Sequence, residues 1–406
     1  MSDLSYETLV PKKRFPEFFG DGAWVLKRFG EIATVVASGD LDTALFSPIK
    51  TTTHTVPVYS NAVEREGLYG YYITAKYPQN SISITARGNL GHAFYRKITF
   101  MGIGRLIVAY DFKSDEPRFV KECWNYLVPI PQEVTSIPQL TAVAARARLL
   151  PLPILKEQQK IADCLSSFDD LITAQNQKVE ALKQHKKGLM QQLFRAEGET
   201  VPKLRFPEFE NAQQWAFLPL NKLAKRCTQK NRSAKITKVL TNSAEFGVVD
   251  QRDYFDKDIA TQGNLEGYFI VEKGDYVYNP RISAMASVGP ISKNNIATGV
   301  MSPLYTVFRF ENDRNDFYAI YFKTTGWHHY MRQSSSTGAR HDRMAISNDA
   351  FMTMPIPVPS PEEQQKITNC LTSLDNLICN QMQKLKALRE QKKGLMQKLF
   401  PSLVDA

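Results

Sequence analysis

Side chains able to hold or read a polyanion gather in a few short, turn-forming stretches. Ala86-Arg87-Gly88-Asn89-Leu90-Gly91-His92 follows an alternating strand-like run, Ser81-Ile82-Ser83-Ile84-Thr85, and precedes Arg96. Arginine matches the O6 and N7 acceptors of guanine and asparagine the N6 and N7 edge of adenine, so this turn suits base edges. In the second half, Gly274-Asp275-Tyr276-Val277-Tyr278-Asn279-Pro280-Arg281 reads as a turn, a strand and a loop offering Asn279 and Arg281, with Lys293 further on. Ser334 to Arg343 is polar and basic; Ser336, Thr337, Arg340, His341 and Arg343 bring hydroxyls and cations suited to phosphates. The candidate DNA contacts are thus Arg87, Asn89, His92, Arg96, Asn279, Arg281, Lys293, Ser336, Thr337, Arg340, His341 and Arg343, led by Arg87 and Arg281. Each is equally readable as solvated surface. Lys12, Lys13, Arg14, Lys203 and Arg205 are further candidates for phosphate.

Composition agrees with a polyanionic partner and argues against several other classes. Over 406 residues the formal net charge is +10, and each phosphate neutralised by such a surface releases counterions. No apolar run approaches the roughly 20 residues that span a bilayer, and no signal-like apolar stretch follows the N-terminus, so a cytoplasmic protein is expected. The five cysteines, Cys123, Cys164, Cys227, Cys370 and Cys379, are odd in number and never spaced C-x-x-C, which fits neither a disulfide framework nor a zinc site. Catalytic signatures are weak. Tyr278-Asn279-Pro280-Arg281 lacks the second proline and the aromatic of an N-P-P-aromatic methyltransferase loop. Gly102-Ile103-Gly104 lacks the later glycine and acidic partner of a nucleotide-binding turn. His328 and His329 are adjacent and so lack metal-ligand spacing. A generic coiled-coil scaffold is the third class, and it predicts binding indifferent to salt.

What must position these loops is a duplicated framework. Glu157-Gln158-Gln159-Lys160-Ile161 recurs as Glu363-Gln364-Gln365-Lys366-Ile367, and from Glu157 to Phe194 the two copies agree at 24 of 38 ungapped positions. A shorter motif heads each half: Val10-Pro11-Lys12-Lys13-Arg14-Phe15-Pro16-Glu17-Phe18 returns as Val201-Pro202-Lys203-Leu204-Arg205-Phe206-Pro207-Glu208-Phe209, with Trp24 and Trp215 following at equal distance. Between these markers the halves differ almost completely. Framework is repeated; the reading loops are not.

Within each long repeat, apolar residues recur at coiled-coil spacing. The first copy carries Ile161, Phe168, Gln175, Leu182 and Leu189, interleaved with Leu165, Ile172, Val179, Lys186 and Leu193. The second carries Ile367, Leu374, Gln381, Leu388 and Leu395, with Leu371, Ile378, Leu385, Lys392 and Leu399. Ser360-Pro361-Glu362-Glu363 is a strong helix start: serine N-cap, proline at N1, carboxylates at the positive end of the dipole. A pseudo-two-fold antiparallel pairing of the two helices would bring Lys186 to Asp375 and Lys392 to Asp169-Asp170. It would also bring Gln175 to Gln381, either as a buried polar pair fixing register or as a seam edge in water. About 40 residues at 1.5 Å each give a rod of roughly 60 Å. Two anchored domains could then face DNA sites about one helical turn apart, roughly 34–36 Å.

The E-Q-Q-K-I start, the K-K-G-L-M-Q end, the proline-rich lead-ins Leu150-Pro151-Leu152-Pro153 and Pro355-Ile356-Pro357-Val358-Pro359, and a tryptophan at the head of each variable region resemble the specificity subunits of type I restriction-modification enzymes. The likeness covers essentially the whole chain. It extends to Ile137-Pro138-Gln139-Leu140-Thr141, Val288-Gly289-Pro290 and Gly299 to Tyr305. The resemblance implies an α+β fold with two globular target-recognition domains separated by two long antiparallel coiled-coil helices. The expected boundaries are 1–152 and 201–358 for the recognition domains, and 153–200 and 359–406 for the helical spacers. It also implies that each domain reads one half of a bipartite double-stranded DNA target. The helix pair would set the spacer and dock two modification (methyltransferase) subunits, and motor-nuclease restriction subunits would join through that core. On this expectation the chain has no catalytic residues, metal or cofactor of its own; S-adenosylmethionine, ATP and Mg belong to the partners, and no membrane is involved.

Overall fold

Heptad spacing and good helix formers, with a capped start in the second copy, produce two helices of 39 residues, Leu155–Leu193 and Pro361–Leu399, in the computed structural model. The structure describes residues 9–127, 139–194, 199, 201–254, 265–337 and 342–401. Ser360 Oγ accepts the Glu363 backbone N–H at 3.2 Å, the N-cap expected there. Every seam position is buried or half-buried, whereas most positions between them are exposed. The chain divides into two compact units: residues 1–177 with 382–406, and residues 178–381. Each long helix therefore contributes one part to each unit.

In unit 1 the start of the first helix runs antiparallel to the end of the second, with Ile161, Ala162, Leu165, Leu399 and Phe400 in one buried cluster. Lys392 Nζ binds the two Asp169 carboxylate oxygens at 2.7 and 2.8 Å, as the sequence predicts. Strand Val25–Arg28 pairs antiparallel with Leu149–Leu152, which leads into the helix. The central sheet has four antiparallel strands in the order Thr34–Ala37, Ile107–Tyr110, Ser81–Ile84, Ala93–Arg96. A second sheet orders Phe46–Ser47, Leu68–Tyr72, Val56–Tyr59, Met101–Gly102, its last pair parallel. Helix Pro117–Leu127 lays Phe119, Cys123 and Trp124 into the core.

Unit 2 repeats this plan. Ala216–Pro219 pairs with Pro355–Val358, and a four-stranded antiparallel sheet runs Ala224–Arg226, Thr306–Phe310, Tyr276–Tyr278, Ile291–Lys293. Strand order and directions match those of unit 1 although the sequences do not. Lys186 Nζ meets Asp375 Oδ1 at 2.5 Å, the counterpart of Lys392 and Asp169. Leu193, Phe194, Ile367 and Leu371 join its core with Trp215, Phe317 and Trp327.

The opening motifs lock onto the helices, which corrects one expectation. Arg14 and Arg205 are not surface cations awaiting phosphate. Arg14 forks onto Glu157, with Nε to Oε1 at 2.9 Å, and Arg205 onto Glu363 at 2.9 and 2.7 Å. All four side chains are at most 8% exposed. The planar guanidinium matches a carboxylate bidentately, so both residues are committed to the framework. Main chain adds to the lock. Lys13 N–H donates to Lys398 O at 2.8 Å in unit 1, and Leu204 N–H to Gln192 O at 3.0 Å in unit 2, satisfying carbonyls that a helix end leaves open.

Lys392 also donates to Glu122 Oε1 at 3.0 Å, and Lys121 reaches the same atom at 2.6 Å. Burial pushes the Glu122 carboxyl up, but the two lysines outweigh it and hold it below the ordinary range. A depressed carboxylate stabilises the fold above its unfolded pKa, and that contribution is lost as pH falls through the lower folded value. Lys392→Met removes one of the two cations. It is expected to cost about 1.5–3 kcal/mol at neutral pH and to move the acid-unfolding midpoint of unit 1 upward, read by circular dichroism from pH 7 to 2. An unshifted midpoint would show that Lys121 alone holds the carboxylate.

Candidate nucleic-acid interface

In unit 1 the hairpin between Ser81–Ile84 and Ala93–Arg96 carries the predicted reading turn. Thr85 organises it: its N–H donates to His92 O at 3.0 Å in a backbone pair, its Oγ1 accepts the His92 N–H at 2.9 Å, and its hydroxyl donates to Asn89 O. Gly88 and Gly91 sit at φ +68° and +77°, where a side chain would strain the turn. Arg87 and Asn89 are exposed at its tip. Arg87 Nη2 makes a single 3.3 Å bond to Gln139, leaving most of its donors outward.

His92 and Arg96 are placed differently. The His92 ring packs on Phe94, with centroids 4.6 Å apart, and lines an open groove of about 1180 Å³ shared with Asp111, Asp115, Glu122 and Asp169. Desolvation and the nearby Lys121 lower its pKa, and the groove sets Lys97, Arg118, Lys121 and Lys392 among its carboxylates. Arg96 is 2% exposed. It donates to Ser83 Oγ at 2.8 Å and Glu66 O at 2.7 Å, and its guanidinium stacks 3.5 Å from the Tyr59 ring centroid. Desolvation pulls its pKa down to about 10. Arg96 serves the fold, and sequence offered no warning because its partners, Ser83, Glu66 and the Tyr59 ring, meet it only once the strands and the turn are assembled.

Ile103 to Tyr110 reads as one apolar strand, but only Ile107–Tyr110 is strand. Gly104 and Arg105 both take φ +66° and turn the chain. Asn61, which the sequence did not single out, cross-braces the loops here: its Nδ2 donates to Gly104 O at 2.7 Å and its Oδ1 accepts the Ala86 N–H at 2.7 Å.

In unit 2 Asn279 is a bracket more than a probe, donating to Asn242 O at 2.9 Å and accepting the Arg281 N–H at 3.0 Å. Gly289 is required behind it: at φ +79°, an added Cβ would lie 2.1 Å from Asn279 O. The buried Asn242 fixes this corner through Val277 O at 2.7 Å and Pro290 O at 3.1 Å, a role visible only once distant strands meet. Arg281 is exposed and bridges Arg343 in an antiparallel backbone pair, flanked by Ile282 N–H to Asp342 O at 2.8 Å and Met344 N–H to Pro280 O at 2.9 Å. Two arginines far apart in sequence thus share one edge. Ser336 joins them, since Ser336–Thr337 pairs with Met344–Ala345. Lys293 is taken up by Asp316 at 2.7 Å, with its side chain 12% exposed. Arg340, His341, Ile137 and Pro138 lie outside the described residues, as does the Thr337 side chain. Among the described residues, no group of three or more His, Cys, Asp or Glu is placed to hold a metal ion.

Comparison with known proteins meets this geometry. The family model described as "Type I restriction modification DNA specificity domain" matches residues 22–184 and again 222–390. Among curated proteins, the chain is 24% identical over 279 residues to the type I restriction enzyme MjaVIII specificity subunit of Methanocaldococcus jannaschii, covering 66% of this chain and 64% of the relative. It is 26% identical over 262 residues to the putative MjaX specificity subunit of the same organism, covering 62% of this chain and 58% of the relative. Each match thus spans less than two thirds of the relative's length. The fold is similar to the crystal structure of a type I restriction-modification S subunit from M. genitalium (TM-score 0.59, 14% identity, 97% of this chain and 100% of the other). It is also similar to a chain from a structural study of type I restriction-modification complex assembly (TM-score 0.52, 14% identity, 94% and 98%).

Proposed function

This chain belongs to the type I restriction-modification DNA specificity family, and on that premise we propose that it is the non-catalytic DNA-reading subunit of such an enzyme. Each recognition domain would read one half of a bipartite target. The paired helices would set the spacer and dock two methyltransferase subunits, through which restriction subunits join. Methylation and cleavage would then lie on the partners, together with S-adenosylmethionine, ATP and Mg. The observation that carries this reading is the identical strand order of the two central sheets beneath wholly different loops. A common scaffold with divergent arginines, exposed Arg87 in one unit and exposed Arg281 beside half-buried Arg343 in the other, is what two unlike half-sites require. The net charge of +10 supports a polyanionic ligand. Among the described residues no helix is long and apolar enough to cross a membrane.

The test is a domain exchange. Replacing residues 24–150 with the corresponding region of another family member, in a host carrying the partner subunits, is expected to change one half of the genome-wide methylated motif and leave the other intact. A change in both halves, or in neither, would overturn the division of labour.

A further inference from the structure

One turn of unit 1 holds a conformation that its residues disfavour. Between Val56–Tyr59 and Leu68–Tyr72 the chain reverses through Glu64-Arg65-Glu66-Gly67, with Arg65 at φ 51°, ψ 32°, Glu66 at φ 55°, ψ 27° and Gly67 at φ 79°. Consecutive left-handed residues are the hallmark of the mirror-image hairpin turn, which ordinarily takes Asn-Gly or Asp-Gly. A long cation and a long anion at those positions are strained and add little packing: Arg65 is exposed, and the Glu66 side chain, 69% exposed, makes only a 3.5 Å contact from Oε2 to Arg96 Nη1. Strain of this kind persists only where surrounding structure over-determines it. Here that structure is the buried Arg96, whose Nη2 holds Glu66 O at 2.7 Å while the guanidinium lies on Tyr59. Ser60 N–H closes the neck of the turn onto Gly67 O at 2.8 Å.

The turn has company. Asn61, in the same loop, bonds both the Gly104-Arg105 turn and the first residue of the Arg87 loop, Ala86, each at 2.7 Å. Three loops bearing exposed Arg65, Arg87 and Arg105 are therefore tied together at one edge of the two sheets. Among the described residues the Arg65 guanidinium has no partner. Glu64 and Glu66 on either side would repel a phosphate, but a donor flanked by acceptors suits the mixed pattern of a base edge, where a carboxylate accepts from the cytosine amino group.

We propose that Glu64–Gly67 is a further DNA-reading element of unit 1, with Arg65 contacting a base edge and Arg96 acting as its positioning residue. This rests on the DNA-reading role proposed above and names residues that the sequence did not single out or had assigned otherwise.

The experiment uses the chain assembled with its modification subunits and a duplex library randomised in both half-sites. The double variant Arg65→Asn, Glu66→Gly installs the residues that the turn favours and keeps the backbone carbonyl that Arg96 holds, while losing the long 3.5 Å Glu66 carboxylate contact, so thermal stability is expected to change little. Preference at one or two positions of a single half-site is expected to fall about five- to hundred-fold, with the other half-site and the salt dependence unchanged. Arg96→Lys keeps the charge but loses the fork, and is expected to relax the same positions, with no added effect in the Arg65→Asn, Glu66→Gly background. An unaltered half-site overturns the proposal. So does uniform weakening on all sequences with a shallower salt slope, the mark of a phosphate contact, and so does an Arg96→Lys effect that adds fully to the double variant. If the wild-type complex selects no sequence in either half, the underlying DNA-reading role fails instead, and that result is distinct from all of these.

Discussion

Replacing Glu363 with alanine is expected to destabilise unit 2 by about 3–5 kcal/mol, because it leaves a buried guanidinium without its counter-charge. Glu363 accepts from Arg205 Nε and Nη2 at 2.9 and 2.7 Å and from Trp215 Nε1 at 3.1 Å, and it is 2% exposed. One carboxylate thus joins the opening motif, the tryptophan that heads the variable region and the first turn of the second helix. In the variant Arg205 retains, among the described residues, only its bond to Ala212 O at 3.0 Å. Glu157→Ala in unit 1 is expected to cost less. Among the described residues the Glu157 side chain serves Arg14 alone, and the Trp24 indole N–H is buried without an acceptor. Arg14 also retains two backbone carbonyls, those of Asp21 and Gly22. Hydrogen exchange resolved by unit reads both costs without assuming a single unfolding transition. Equal losses in the two units would show that the indole bond adds nothing, and losses under about 1 kcal/mol in both would show that the forks behave as surface pairs.

The two long helices were legible in sequence because a heptad is a local pattern, readable without knowing what it packs against. Register was legible too. Once two copies of one seam pair head to tail, Lys186 must meet Asp375 and Lys392 must meet Asp169, and within each unit they do. The strands at Ser81–Ile84 and Tyr276–Tyr278 follow from alternation and flanking turns. What stayed hidden depends on partners remote in sequence. Arg14 resembles any charged residue near a terminus until the chain brings Glu157 beside it, and Arg96 resembles a reading arginine until Tyr59 and Glu66 O enclose it. The Gly104-Arg105 turn interrupts an apolar run whose composition gives no sign of a break. Asn61 and Asn242 are single asparagines in unremarkable stretches, yet each fixes two loops at once. Exposed loop residues such as Arg87 and Arg281 stand where the sequence places them, since turn chemistry is local. Which bases they meet is not a property of the turn.

Phe400→Ala is expected to destabilise unit 1, the unit of the first variable region, and to leave unit 2 unchanged. Phe400 follows the last turn of the second helix, is 2% exposed, and lies against Phe119 at 5.5 Å between centroids, Tyr126 at 5.5 Å and Trp24 at 6.0 Å. Removing a ring so enclosed costs about 3–5 kcal/mol through lost transfer energy and the cavity left behind. Amides of the sheet formed by residues 34–110 and of helix Pro117–Leu127 should lose protection in hydrogen exchange, while those of residues 216–322 should not. Phe194→Ala should do the reverse, since Phe194 packs on Phe317 at 5.3 Å and Trp215 at 6.5 Å. Loss of protection confined to the last turn of the altered helix would reduce both phenylalanines to end caps. The consequence for recognition is direct. Each reading domain completes its core with the terminus of the helix that follows the other variable region; unit 2 finds that terminus within its own continuous segment, residues 178–381, whereas unit 1 is whole only once residues 382–406 have been made. Damage at residue 400 should therefore weaken the half-site read by residues 24–127 while sparing the half-site read by the domain that immediately precedes that helix.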